Sequence, residues 1–124
     1  MGRRPLRIEE VDALTAKSWM DMGEAFIIDV RRQRGRARHY IPGTISMPLD
    51  ELDPHSLPGE AGSRIIFQCD VGATSLAVAR RVVAFGIDRR IFNLSGGIQA
   101  WSAAGLPTEG TGFSLRGLFS RSRR

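Results

Sequence analysis

At 124 residues the chain is the size of one domain, long enough to bury roughly two thirds of its unfolded surface and to build a core without disulfides or metals. Its composition, 42% hydrophobic and 25% charged, is that of a globular protein and excludes a wholly disordered chain, a collagen-like one and a disulfide scaffold. The net charge of +5 is uneven: residues 1–68 carry ten basic and ten acidic side chains and residues 69–124 eight against three, with Arg116, Arg121, Arg123 and Arg124 among those eight. Of the 18 basic residues all but Lys17 are Arg, a bias that fits a GC-rich coding sequence as well as phosphate binding, and no specific nucleic-acid partner is expected. No apolar run approaches the roughly 18 residues of a membrane span, and the N-terminal segment lacks the apolar centre of a signal peptide, so the expected location is cytoplasmic. Cys69 is the sole cysteine, and His39 and His55 stand at no ligand spacing, so neither a disulfide nor a metal site is expected.

In chain order, Ile8 through Leu14 carries apolar residues three to four apart and predicts a short amphipathic helix. Ala25 through Val30 is a compact, β-branched run, the pattern of a strand covered on both faces and placed within a sheet. Thr44 through Met47 is a shorter strand candidate after the Pro42-Gly43 turn, and Pro48 through Leu57 reads as a helical turn or loop broken by Pro54. Arg64 through Gln68 is a second buried strand. From Ser75 the period changes: Leu76, Ala79, Val82 and Val83 mark a helix that Gly86 closes. Arg90 through Leu94 is a third apolar strand, Gly96-Gly97 a turn, and Ile98 through Ala104 a last helix ended by Gly105 and Pro107. This alternation predicts an α/β fold with a mostly parallel sheet.

The chemistry is expected where the strand ending at Gln68 meets the following helix, because ligands of open α/β sheets bind at the carboxyl ends of the strands. A lone Cys after Ile65-Ile66-Phe67 would read as a core residue on its own. The sequence after it, Asp70-Val71-Gly72-Ala73-Thr74-Ser75, is a short loop with a central Gly leading into a helix, so successive backbone N–H groups can curl around the sulfur. A helix N-terminus stabilises an anion by about 0.3–1 kcal/mol, up to about 2 where partly buried, and further N–H bonds to a thiolate add to that. Asp70 opposes it and is expected to point to solvent. The result is a nucleophilic sulfur in a nest of amides that needs no His base.

Taken together, Asp29-Val30-Arg31 with Ile41-Pro42-Gly43, the loop Cys69 to Ser75, and Leu94-Ser95-Gly96-Gly97 with Trp101 resemble the small, single-domain members of the rhodanese (thiosulfate sulfurtransferase) family. Asp29-Val30-Arg31 with Ile41-Pro42-Gly43-Thr44-Ile45 and Pro48 is similar to that family's first signature. Cys69, Gly72 and Ser75 occupy the matching places of its C-x-x-G-x-[RST]-S loop. Leu94-Ser95-Gly96-Gly97, Trp101, Gly105 and Pro107 are similar to its closing L-x-GG-x-x-x-W-x-x-x-G-x-P motif. The resemblance spans about residues 7–108 and implies a central five-stranded, mostly parallel sheet flanked by helices. It leaves residues 109–124, with Phe113, Leu115, Leu118 and Phe119 among the arginines, as a basic, flexible tail that could lie on an acidic membrane surface or a partner.

The resemblance also implies that Cys69 accepts the outer sulfur of thiosulfate or of a persulfide donor. The backbone amides of Asp70, Val71, Gly72, Ala73, Thr74 and Ser75 would cradle the resulting persulfide, and a thiol or cyanide would take the sulfur on, with no cofactor. Asp29 and Arg31 are expected to stand near the site as a pair tying the strand to the next loop. Where many members carry Arg this chain has Thr74, which offers only a hydroxyl for the oxygens of thiosulfate. Arg32, Arg34, Arg36 and Arg38 replace the usual acidic stretch and read either as a solvated face or as an attractor of an anionic donor or an acidic protein partner. Trp101 is expected in the core or pocket wall, and His39 and His55 at the surface. A phosphatase or arsenate reductase would need an Arg at the place of Ser75. The other alternative is a non-catalytic interaction or regulatory module, against which the intact loop with its Cys speaks.

Overall fold

The computed structural model describes residues 7–111. Five strands, β1 (Ile8–Val11), β2 (Ala25–Asp29), β3 (Ile45–Ser46), β4 (Arg64–Gln68) and β5 (Arg90–Leu94), form one sheet in the order β1-β5-β4-β2-β3. Every pairing among them is parallel. Parallel strands need crossovers, and the helices α1 (Ala13–Asp21), α2 (Gln33–Arg38), α3 (Ala73–Ala84) and α4 (Gly97–Ala103) lie in the connections or follow the last strand. Strand periodicity sorts the core into two layers. Ile27, Ile66, Phe92 and Leu94 pack on one face with Ala13 and Ala16 of α1 and with Ile98 and Trp101 of α4. Ile28, Ile65, Phe67 and Ile91 pack on the other with Val78, Ala79 and Val82 of α3. The outcome is the α/β architecture with a parallel five-stranded sheet flanked by helices, and β4, whose end leads into Cys69, is its central strand.

The expected helix from Ile8 to Leu14 is corrected. Asp12 has extended backbone, and its carboxylate accepts the N–H of Thr15 at 2.8 Å, so the helix begins after it, at Ala13, and continues to Asp21. Upstream of that cap the chain pairs with β5, Ile8 opposite Ile91 and Val11 opposite Leu94. Pairing across the sheet outweighs a helical spacing carried by only a few apolar residues. Hydropathy gave no sign of α2 either, because that helix buries none of its residues. Pro54 opens a short 3-10 turn, Pro54–Ser56, whose preceding Asp53 accepts the N–H of His55 at 3.0 Å. Gly86 adopts φ 78° after α3 and closes it as the pattern required.

Beyond α4, Tyr40 and Glu109 exchange backbone hydrogen bonds at 2.7 and 2.8 Å, and the Tyr40 hydroxyl donates to the Glu109 carboxylate at 2.9 Å. The remainder of the expected tail, residues 112–124, lies outside the described residues. Among the described residues no helix is long and apolar enough to cross a membrane. Trp101 is wholly buried under α1 and the sheet, with its indole N–H donating to the Pro107 carbonyl at 2.8 Å. Trp101→Ala is therefore expected to cost about 3–5 kcal/mol of stability, read from urea unfolding.

Candidate active site

Cys69 leaves the end of β4 between the neighbouring strands β2 and β5 and is 3% exposed. The chain then turns through Gly72, at φ 98°, straight into α3, two residues earlier than the hydrophobic pattern alone suggested. This turn aims the first N–H groups of the helix back at the sulfur. The amides of Gly72 and Ser75 each donate to Sγ at 3.2 Å, and the Ser75 hydroxyl oxygen also lies at 3.2 Å. Of the six residues expected to form the cradle, these two bond the sulfur, while Asp70, Val71, Ala73 and Thr74 stand exposed around the loop.

A second set of backbone donors holds the loop from below. The N–H groups of Ile98 and Gln99, at the start of α4, donate to the carbonyls of Cys69 and Asp70 at 2.9 and 3.1 Å. The Gln68 side-chain amide donates to the same Cys69 carbonyl at 3.1 Å. Close approach is what the paired glycines of the last turn supply: a Cβ on Gly97 would stand 2.4 Å from the Cys69 carbonyl oxygen and 2.5 Å from backbone atoms of Asp70. Gly72 presses on the same turn from the other side, where a Cβ would meet Gly96 N at 3.2 Å and the Leu94 carbonyl at 3.3 Å. Its positive φ would strain a side chain in any case.

Asp29 and Arg31 do form a pair, and it reaches the loop. Asp29 is fully buried at the end of β2, in register with Gln68, and accepts Arg31 Nε at 3.0 Å and Nη2 at 2.9 Å in a bidentate bond. The third nitrogen, Nη1, donates to Asp70 at 3.0 Å. Asp70 does turn outward, its side chain 66% exposed, yet it is neutralised rather than left free. Burial pushes the Arg31 guanidinium down, but the bonds and charges of Asp29 and Asp70 outweigh that and hold it above its ordinary value. Arg31 therefore stays a cation at every working pH.

Arg36 is not part of a solvated face: it donates to Asp29 at 3.2 Å and to the Thr44 hydroxyl and carbonyl at 2.7 and 3.1 Å. Arg32, Arg34 and Arg38 are exposed. His55 is exposed on its turn, and His39 Nε2 lies 3.4 Å from the Ser102 hydroxyl, so neither histidine bonds Cys69.

Sequence reasoning missed Asn93. It is 2% exposed on β5 and joins Ser75, the Gly72 carbonyl and Glu10 of β1. An Asn inside the apolar run Ile91-Phe92-Asn93-Leu94 was the available signal, since a buried amide must find partners. The clamp under the loop makes a direct prediction. Gly97→Ala is expected to push the Cys69 and Asp70 backbone outward and to lower the reactivity of Cys69 toward a thiol reagent more than tenfold, while far-UV circular dichroism stays that of the parent. Unchanged reactivity would mean that the loop does not depend on α4.

The family model described as Rhodanese-like domain matches residues 12–104. An uncharacterized protein of Synechocystis is 32% identical over 82 residues, 66% of this chain and 45% of that protein, so the chain spans under half its length. A protein named Sulfurtransferase from Allochromatium vinosum is 25% identical over 101 residues, 81% of this chain and 94% of that one. The solution NMR structure of the rhodanese-like domain of an Anabaena protein superposes with a TM-score of 0.72 at 28% identity, covering 85% of this chain and 81% of that one. The matched residues 12–104 take in four of the five strands, β2 to β5, with both clamped turns and the cysteine loop, and the chain belongs to the rhodanese-like domain family.

Proposed function

We propose that the protein is a sulfurtransferase that carries sulfane sulfur as a persulfide on Cys69, from thiosulfate or another persulfide donor to a thiophilic acceptor. The observation that carries this reading is the sulfur at the end of the central strand with the amides of Gly72 and Ser75 aimed at it. In the first step the Cys69 thiolate attacks the outer sulfur of the donor. A bond forms between Sγ and that sulfur, the donor's S–S bond breaks, and the leaving group departs with the electron pair, as sulfite when the donor is thiosulfate. In the second step a thiolate or cyanide attacks the outer sulfur, the Sγ–S bond breaks, and the Cys69 thiolate is restored. No net oxidation occurs, so no cofactor is required.

Each residue of the loop has a place in this scheme. The amides of Asp70, Val71, Ala73 and Thr74, together with those that already bond Sγ, are the donors for the outer persulfide sulfur. Arg31 and Asp29 keep the Asp70 carboxylate turned from the sulfur, which removes the nearest repulsion to an anionic donor. Arg32, Arg34 and Arg38 draw an anionic donor or an acidic protein partner toward the loop, so turnover with thiosulfate falls as salt rises. A reacting thiol with no partner cysteine in the chain suits a reducing compartment, the cytoplasm. With Ser75 where a phosphatase loop would need a guanidinium, the site has no fork for the equatorial oxygens of a phosphoryl group.

Formation of thiocyanate from thiosulfate and cyanide, and of a thiol persulfide, from which a second thiol releases hydrogen sulfide as a disulfide forms, tests this reading. Cys69→Ser is expected to abolish both. Thr74→Arg is expected to lower KM for thiosulfate about tenfold, the effect of one charge-assisted hydrogen bond to its oxygens, and to leave turnover from a neutral persulfide donor little changed. A folded protein with no turnover from either donor would favour a docking module over an enzyme.

A further inference from the structure

The amide of Asn93 has all its polar atoms engaged, and its neighbours dictate which way round it sits. Nδ2 donates to both carboxylate oxygens of Glu10, at 3.2 and 3.1 Å, and to the Gly72 carbonyl at 3.1 Å. Those three oxygens can only accept, so the amide nitrogen has to face them and Oδ1 has to face away. Glu10 is itself held from a second side, by the Ser95 hydroxyl at 2.8 Å. On the far side of the amide, Oδ1 lies 2.6 Å from Ser75 Oγ. Two oxygens at that distance need a proton between them, and only the hydroxyl has one to give. A hydroxyl has a single proton, so what Ser75 Oγ presents to Cys69 Sγ, 3.2 Å away, is a lone pair.

We infer that Asn93, oriented by Glu10 and the Gly72 carbonyl, is a positioning residue that keeps the Ser75 proton away from Cys69, so that the sulfur meets two N–H donors and one oxygen lone pair instead of three donors. In the thiol form S–H donates to Ser75 Oγ. Once that proton leaves, negative charge on the sulfur faces an oxygen lone pair in the place of a third donor. Other charges around the sulfur form a background that this device does not alter. They are Glu10 on β1, Asp70 on the loop with its carboxylate on Arg31, and Asp29 behind Arg31 at the end of β2. The first turns of α3 and α4 bring no carboxylate. The inference rests on Cys69 as the reacting sulfur of the proposed transfer, but not on the identity of the donor.

The test is the rate of alkylation of Cys69 by iodoacetamide as a function of pH, in the full chain and in Ser75→Ala, Asn93→Ala and the double variant. Ser75→Ala removes the opposing lone pair and is expected to react about threefold faster at pH 7. Asn93→Ala frees the hydroxyl to turn its proton to the sulfur and is expected to react about tenfold faster. The double variant is expected to react no faster than Ser75→Ala, because Asn93 acts only through the hydroxyl, a coupling that a merely structural role would not produce. Slower alkylation of Ser75→Ala would overturn the inference by showing that the hydroxyl donates to the sulfur, and so would an equal gain from Asn93→Ala with and without the hydroxyl. If Asn93→Ala does not fold, the sign of the Ser75→Ala change decides alone. These rates are independent of sulfur uptake, so a protein that shows them and takes up no sulfur would sink the transfer reading and leave this one standing.

Discussion

Two sets of backbone N–H groups, from the first turns of α3 and α4, close on the same residue: Gly72 and Ser75 donate to the Cys69 sulfur, and Ile98 donates to its carbonyl. Much of the site follows from this clamp. It requires β4 and β5 side by side, so that the helices that follow them start next to one another, and it requires no Cβ at Gly97 or Gly72, where the backbones meet. Because these donors are main-chain groups fixed by helices packed on both faces of the sheet, they are already in place to meet negative charge on the sulfur. Such preorganised dipoles are the largest single source of charge stabilisation in buried sites.

On the β2 side of this clamp the charges balance, two carboxylates against two arginines. Asp29, wholly buried, is matched by Arg31 and Arg36, and the spare capacity of Arg31 goes to Asp70. Only loss of both arginines would leave the buried carboxylate uncompensated, a loss typically of about 3–5 kcal/mol, so this cluster stabilises the strand ends as well as fixing the loop. On the other flank, Glu10 is joined to the cysteine loop through Asn93, as the anchor of its amide.

How much of this was legible depended on the kind of interaction. Buried strands announced themselves as β-branched runs, and β4 and β5 span the residues read from the pattern, because burial on both faces leaves hydropathy little freedom. The cysteine loop was legible because its Gly and the helix after it imply converging amides. What stayed hidden depends on contacts far apart in sequence. β1 becomes a strand only when β5 is beside it, and its two glutamates look like a helix surface until one of them meets Asn93. Arg31 stood apart through its place beside Asp29, but Arg32, Arg34, Arg36 and Arg38 look alike in sequence, and only the fold turns Arg36 inward and leaves Arg32, Arg34 and Arg38 at the surface.

The central claim, that the clamped loop carries sulfur on Cys69, is met most directly by intact-mass spectrometry of the protein and of Cys69→Ser after exposure to thiosulfate or a low-molecular-weight persulfide, followed by cyanide. The account predicts one added sulfur atom on the parent protein, none on Cys69→Ser, and its complete removal by cyanide. A folded parent protein that gains no sulfur from either donor, or a Cys69→Ser variant that gains as much, would contradict it.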